Sequence, residues 1–288
     1  CSAVAYFFAK QVTEVLDIPV GLVISSWGGS RIESWMNEKT LASIDGVDIE
    51  AARSSKLKMH HRLGCMYDTM LWPVRNFTAR GFLWYQGESN IFNYYCYAPM
   101  MTAMVQLWRE VWEAPNMPFY YVQIAPHKYK DSQDTDAALL REAQIKALEI
   151  IPNSGMVSTA DIGDEFCIHP PQKDVVGLRL ATLALTKTYN ICGLPSTGPT
   201  MTKVNYSEGK AIVTFDNASA GLTPAFCNLK GFEIAIKDAQ PMSIMTSYNL
   251  INGVHAANCY DTCTKAARDE WGFAGAIMTD WTTTNVQI

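Results

Sequence analysis

The chain changes character within one short stretch, Gly81-Phe82-Leu83-Trp84-Tyr85-Gln86-Gly87-Glu88-Ser89-Asn90. The apolar run up to Tyr85 fits a short buried strand. Gln86 to Asn90 are small or polar and cannot extend it. In open α/β sheets, ligands bind in the crevice beyond the carboxyl ends of the strands. A glycine there lets a reacting group come close to the backbone. A side-chain amide and a free N–H at such an end can hold a developing oxyanion. A plainer reading gives Gly87 a tight turn and Glu88 and Asn90 helix caps. The loop alone does not separate the two.

Working outward, the same pattern recurs. Ser2 to Leu16 carries Val4, Phe7, Phe8, Val12 and Val15 at near-helical spacing and predicts an amphipathic helix. Ile18 to Ile24 reads as a buried parallel-type strand that breaks at Ser25-Ser26-Trp27-Gly28-Gly29-Ser30. Thr40 to Leu63 is a polar, helical excursion. Downstream, Tyr97 to Trp112 predicts a helix and Pro118 to Ile124 a third strand, ending at Ala125-Pro126-His127. Asp136 to Ile150 is helical, stopped by Pro152. Gly155 to Ala160 predicts a fourth strand, followed by the loop Asp161-Ile162-Gly163-Asp164-Glu165-Phe166-Cys167-Ile168-His169 and a helix over Lys173 to Tyr189. Strands alternating with helices argue for an α/β fold with a parallel sheet and flanking helices. Every polar loop follows a strand, so Gly28, Gly29, Gln86, Gly87, Glu88, Asp161, Asp164 and His169 are expected around one crevice.

From Pro195 the texture shifts. Thr200 to Tyr206 and Ala211 to Phe215 predict a β-hairpin. From about Gly231 it shifts again, with an apolar Met242 to Leu250, a helical Thr262 to Glu270 and a strand ending at Asp280-Trp281. This gives three expected domains: 1–194, a β-rich appendage over 195–230, and a tail over 231–288.

With 288 residues, 48% of them hydrophobic and 18% charged, the chain has the material for a real core. A net charge of -5 is too mild to point to nucleic acid, and the apolar runs fall short of a membrane span. The eight cysteines are scattered. Cys259 and Cys263 lie four apart without partners at zinc spacing, so no metal and no cofactor is expected. Scattered cysteines in a chain of this length are expected to be free and buried.

His169 is the sharpest chemical candidate. Two prolines follow it, and Asp161, Asp164 and Glu165 precede it within eight residues. A carboxylate on one imidazole nitrogen fixes the tautomer and leaves the other nitrogen as a base. The alternative is a surface loop with a capping Asp and a solvated His. His127, at a strand end, is the next histidine expected to line the cleft; His60, His61 and His255 carry no such signal. Ser25, Ser26, Ser30 and Ser89 are the serines near the crevice, and none lies in a Gly-x-Ser-x-Gly elbow. Ser89 is explained equally well as a helix cap.

Several blocks then resemble the sialate O-acetylesterase family: Gly21 through Ser30 with Glu33-Ser34-Trp35, Trp84 through Asn90, Met117-Pro118-Phe119-Tyr120 with Gln123-Ile124-Ala125-Pro126, and Ile168-His169-Pro170 with Lys173 through Leu180. The resemblance spans about residues 2–237. It implies an SGNH-hydrolase fold and serine-dependent hydrolysis of acetyl esters on sugars, as in the family's bacterial members. His169 matches the general base. Asp161 and Asp164 are both candidates for its acid partner. Gly28 or Gly29, with Gln86 and Gly87, falls at the oxyanion blocks. Trp27, Glu88, Asn90 and His127 are candidate substrate contacts. An alternative reading is a non-catalytic carbohydrate-binding module that uses Trp27, Trp35, Trp84 and Tyr85 as stacking surfaces. The family's serine motif lies on a first strand upstream of the Phe7-Phe8 helix. The chain is therefore expected to lack that strand and to be impaired alone. The resemblance also suggests export.

The tail carries a second resemblance. Pro241 through Val254, Arg268 through Phe273 and Met278-Thr279-Asp280-Trp281 look like glycoside hydrolase family three, the β-glucosidase and β-xylosidase group. Asp280 matches that family's nucleophile. A chimeric join near Gly231 is expected, with a tail too short to close a barrel.

Overall fold

The structure is a computed structural model that describes residues 1–129, 135–194, 196–207, 210–218, 236–237, 239–246, 250–251, 254–255 and 259–278. It divides into two compact units, Cys1–Gly198 and Pro199–Ile288.

The first unit is built on three parallel strands, β1 (Phe82–Tyr85), β2 (Phe119–Val122) and β3 (Ser154–Val157), in the order β1-β2-β3. All four residues of β2 are buried, and their sides alternate as a strand's two-residue period requires. Phe119 and Tyr121 enter one core with Trp35, Trp84, Trp108, Met104 and Leu140. Tyr120 and Val122 enter the other with Val176, Leu180 and Leu183. Helices α4 (Tyr97–Val111) and α5 (Asp136–Ile150) contribute to the first core, and α6 (Lys173–Lys187) to the second. Helix α1 (Ala3–Leu16) packs along α6, burying Val12 beside Ala181 and Leu185. Ser2 caps its start by accepting from the Ala5 N–H, and Asp17 ends it in a left-handed conformation at φ 52°. The polar excursion holds two short helices, α2 (Glu38–Ala42) and α3 (Ile49–Arg53).

One expected strand is corrected. Residues 18–27 run without regular secondary structure, and Leu22, Val23 and Ile24 are exposed rather than buried. The physical reason lies in the backbone pairing. Residues 18–28 exchange no ladder hydrogen bonds with β1, so the run has the composition of a strand but no neighbour to pair with. The thiols also differ from expectation: Cys1, Cys167 and Cys192 are exposed, while Cys96 is buried.

In the second unit, β4 (Thr200–Ser207) and β5 (Lys210–Asp216) form the expected antiparallel hairpin. β6 (Ser243–Met245) pairs in parallel with β9 (Ala276–Met278), and β7 (Leu250–Ile251) pairs with β8 (Val254–His255). A helical segment, Asp261–Glu270, helps to enclose a small core of Ile236, Ala267 and Phe273. Among the described residues no helix is long and apolar enough to cross a membrane.

Candidate active site

The three parallel strands send their exit loops to one edge. The loop from β1 is sewn to the Trp27–Ser30 turn by long-range hydrogen bonds. The Gln86 Nε2 donates to the Ser30 carbonyl at 2.9 Å, the Ser89 hydroxyl to the Gly29 carbonyl at 2.8 Å, and the Ile32 N–H to Asn90 Oδ1 at 3.0 Å. The β2 and β3 exits are tied together as well. Thr159 Oγ1 donates to the Gln123 carbonyl at 2.7 Å, and His127 Nδ1 donates to the Asp164 carbonyl at 3.4 Å. Lys128 pairs with Glu165 at 3.1 Å beside a cleft of about 330 Å³ lined by Pro126, His127, Gly163 and Asp164.

Beneath the rim lies a buried polar network. Asn90 is fully buried, and its Nδ2 donates to Glu33 Oε2 at 2.8 Å and to Asn93 Oδ1 at 3.1 Å. Asn93 Nδ2 donates to the other Glu33 oxygen at 2.9 Å. The second Gln86 Nε2 hydrogen goes to Asn90 Oδ1 at 2.7 Å, and Gln86 Oε1 accepts from the Tyr97 hydroxyl at 2.9 Å. Gln144, buried on α5, donates to the Gln86 and Val122 carbonyls and accepts from the Ile124 N–H. Gln86 and Asn90 are thus consumed in holding the loops. Asn90 has no surface with which to touch a substrate, and the Gln86 amide has no free hydrogen for an oxyanion.

What remains open toward solvent is different. Gly28 and Gly29 are exposed, and among the described residues neither N–H meets an acceptor. Gly29 takes φ +69°, a conformation that side-chain-bearing residues rarely adopt. Gly87 is buried with φ +157°. Trp27 is exposed and stacked on His60, with ring centroids 6.1 Å apart.

His169 is exposed. Among the described residues its one hydrogen bond is from the Cys167 thiol to its carbonyl, 3.2 Å. Neither expected acid reaches the ring. Asp161 is held bidentately by Arg179 at 2.8 and 2.6 Å, and that hydrogen bonding draws its pKa down. Asp164 Oδ1 accepts from the Phe166 and Cys167 N–H groups, closing its own turn. Both are short polar side chains with a nearer partner than the imidazole.

The carboxylate that senses His169 is Glu88. Burial pushes its pKa up, and the charges of His169 and Lys173 oppose that shift. Lys173 Nζ lies 5.2 Å over the Tyr85 ring, and its own pKa is lowered by burial. Burial, with the Glu88 charge, pushes the Tyr85 and Tyr129 hydroxyls up to about 12. Glu88, His169 and Lys173 therefore form one electrostatic cluster, and Glu88, expected as a substrate contact, is the carboxyl on which the charge of His169 acts. Lys173 was missed; its one sequence signal was its place at the start of the helix after His169.

Two expected stacking surfaces belong to the core instead. Trp35 and Trp84 are buried, edge to face at 5.8 Å, and Trp35 Nε1 donates to Ser30 Oγ at 2.9 Å. Asp280 lies outside the described residues.

A parallel α/β sheet whose exit loops carry a histidine and a half-buried carboxyl, beside a turn whose glycine amides meet no acceptor among the described residues, fits a hydrolase of the α/β class. The chain belongs to the family described as carbohydrate esterase, sialic acid-specific acetylesterase, which matches residues 3–186. The human sialate O-acetylesterase is 28% identical over 229 residues, covering 74% of this chain and 44% of that protein. Its mouse counterpart is 27% identical over 260 residues, covering 75% and 48%. A solved carbohydrate acetylesterase from Xanthomonas citri superposes with a TM-score of 0.64 at 33% identity, covering 74% of this chain and 47% of that one. The chain thus spans about half the length of the curated relatives it matches. Short matches also run to glycosidases. An exo-alpha-(1->6)-L-arabinopyranosidase of Bifidobacterium breve is 56% identical over 50 residues, and Beta-glucosidase B of Emericella nidulans is 47% identical over 57, each covering 7% of that protein.

Proposed function

We propose that this chain carries the base, carboxylate and oxyanion donors of a sugar O-acetylesterase. The observation that carries the reading is a chain of neighbours: the Gly28–Gly29 turn is bonded to Ser89, the next residue is Glu88, and Glu88 feels the charge of His169. In this reading His169 is the general base and Glu88 steadies the imidazolium, in the place first offered to Asp161 or Asp164. The Gly28 and Gly29 N–H groups receive the oxyanion, with Gly87 shaping the turn beside them. Trp27 and His127 flank the sugar. Among the described residues no serine hydroxyl is hydrogen-bonded to the His169 ring. Ser30 Oγ accepts from Trp35 Nε1, and Ser89 Oγ donates to the Gly29 carbonyl, so neither hydroxyl is directed at the imidazole by its hydrogen bond.

The test is acetate release from a per-O-acetylated methyl glycoside, measured for the chain and for His169→Ala, with NMR titration of each. The His169 ring and the Gly28 and Gly29 amides are expected to shift with ligand, and any turnover to fall to background in His169→Ala. Equal rates for both proteins, or shifts that miss these residues, overturn the reading.

A second reading attaches to the tail alone, favoured by the short glycosidase matches. Asp280 would be the nucleophile of a retaining glycosidase, which also needs a second carboxyl group. Release of nitrophenol from an aryl glucoside, lost in Asp280→Asn, is its test; no release counts against it. The glycosidase-like motifs at Pro241–Val254 and Met278–Trp281 favour a tail over 231–288 distinct from the esterase part over 1–194, with 195–230 between them.

A further inference from the structure

We propose that His61 and Ser89 are positioning residues that clamp the Gly29 carbonyl and so aim the Gly28 and Gly29 N–H groups into the crevice. The inference rests on the esterase reading of those amides. A carbonyl oxygen has two lone pairs, and at Gly29 both are taken: Ser89 Oγ donates at 2.8 Å and His61 Nε2 at 2.9 Å. On the same peptide, the Ser30 N–H donates to the Trp27 carbonyl at 3.3 Å. Both polar ends of the Gly29–Ser30 peptide are therefore fixed, which sets the plane of the turn. The two glycine N–H groups that precede it meet no acceptor among the described residues.

A glycine turn needs such an anchor. Gly28 and Gly29 have no side chains to pack, and an ideal Cβ on Gly28 would meet nothing within 4 Å. Without external bonds the pair is free to rotate, and an oxyanion donor that must reorganise loses most of its value. The two donors come from opposite sides. Ser89 belongs to the β1 exit loop. His61 belongs to the polar excursion, whose turn is itself pinned by the His61 N–H donating to the Lys58 carbonyl at 2.9 Å and the Arg31 N–H donating to the His60 carbonyl at 3.1 Å. Because the acceptor is a carbonyl, His61 must carry its proton on Nε2. Burial and the charges of Arg31, His60 and Lys58 lower the His61 pKa, while the Gly29 carbonyl opposes them. The ring is then a neutral, single-proton donor at neutral pH.

The experiment uses the chain labelled with ¹⁵N and titrated with sodium acetate, the product anion, alongside ester turnover. In the wild type, acetate shifts the Gly28 and Gly29 amides, and the His61 Nε2–H is seen in imidazole spectra. His61→Ala and Ser89→Ala are each expected to weaken acetate binding at these amides by about tenfold, with unchanged circular dichroism. His61→Gln and Ser89→Thr, which keep an N–H and a hydroxyl, are expected to return to within about threefold of wild type. Unaltered acetate affinity in both alanine variants overturns the clamp. Acetate that leaves both amides unmoved in the wild type defeats the oxyanion reading itself, and the clamp with it. Outright loss of ester turnover in Ser89→Ala with acetate binding intact makes Ser89 the attacking group and overturns its positioning role.

Discussion

Gly87→Ala is the sharpest perturbation of the loop that everything else is tied to. An added Cβ would lie 2.6 Å from Ile124 Cγ2, 3.2 Å from Leu140 Cδ2 and 3.4 Å from Gln144 Nε2. All three side chains are fully buried, so none can swing away. Overpacking of this kind costs about 1–3 kcal/mol. The backbone at φ 157°, ψ -32° adds strain, in the range of about 1–3 kcal/mol for a residue with a side chain. Together about 2–6 kcal/mol is expected, a large share of the roughly 5–15 kcal/mol that holds a domain together. The assay is urea denaturation followed by tryptophan emission, to which the buried Trp35, Trp84 and Trp108 contribute the part that changes on exposure to water. The midpoint is expected to fall by about 1–2 M with an unchanged slope. Gly28→Ala is the control, since its Cβ meets nothing within 4 Å; it is expected within about 0.5 kcal/mol of wild type. A Gly87→Ala midpoint equal to that of Gly28→Ala would show that the packing argument is wrong.

Glu33→Ala strips the acceptors from Asn90 and Asn93, each bonded to a different Glu33 oxygen. Two buried donors left unsatisfied cost about 1–3 kcal/mol each, so a denaturation midpoint near wild type would refute the network's importance. Glu88→Gln tests the desolvated carboxyl. Its folded pKa is raised, so the folded state keeps the proton to higher pH than the unfolded chain. The stability this contributes is full below the unfolded value and is lost as pH rises through the folded one. Glu88→Gln, which stays neutral, is therefore expected to match wild type near pH 4 and to exceed it at pH 7; thermal melts with the opposite order would sink the sign. Limited proteolysis is expected to remove residues beyond about Gly231 first, because the tail's core is small and Met242, Tyr260 and Met278 are exposed. A tail as resistant as the first unit counts against a late, weakly supported segment.

The sequence was most informative where order along the chain is all that matters. The helix over Asp136 to Ile150 and the strands at Phe82, Phe119 and Ser154 follow from periodicity and from the residues that stop them. The strand expected at Ile18 to Ile24 did not form, although its composition is right. A strand is completed by a neighbour, and hydrophobicity cannot report whether a neighbour is there.

The candidate site divides along the same line. Gln86, Glu88, Ser89 and Asn90 sit within one polar loop and read alike as letters. The fold gives them different parts because their partners lie 56 to 60 residues away in sequence, at Ser30, Gly29 and Glu33. Gln86 and Asn90 face inward and meet those partners, so their polarity is spent on architecture. Among the described residues Glu88 has no side-chain hydrogen-bond partner. Burial raises its affinity for a proton, and its own backbone hydrogen bond and the charges of His169 and Lys173 only partly offset that. Asp161 and Asp164, nearer to His169 along the chain, are quenched by Arg179 and by their own turn. Asp161 and Asp164 are closer along the chain but accept other donors, whereas the half-buried Glu88 is left responsive to the charges of His169 and Lys173. A carboxyl shielded from water and answering to a nearby titratable base is the better candidate for chemistry, and in this rim that criterion favours Glu88 with His169.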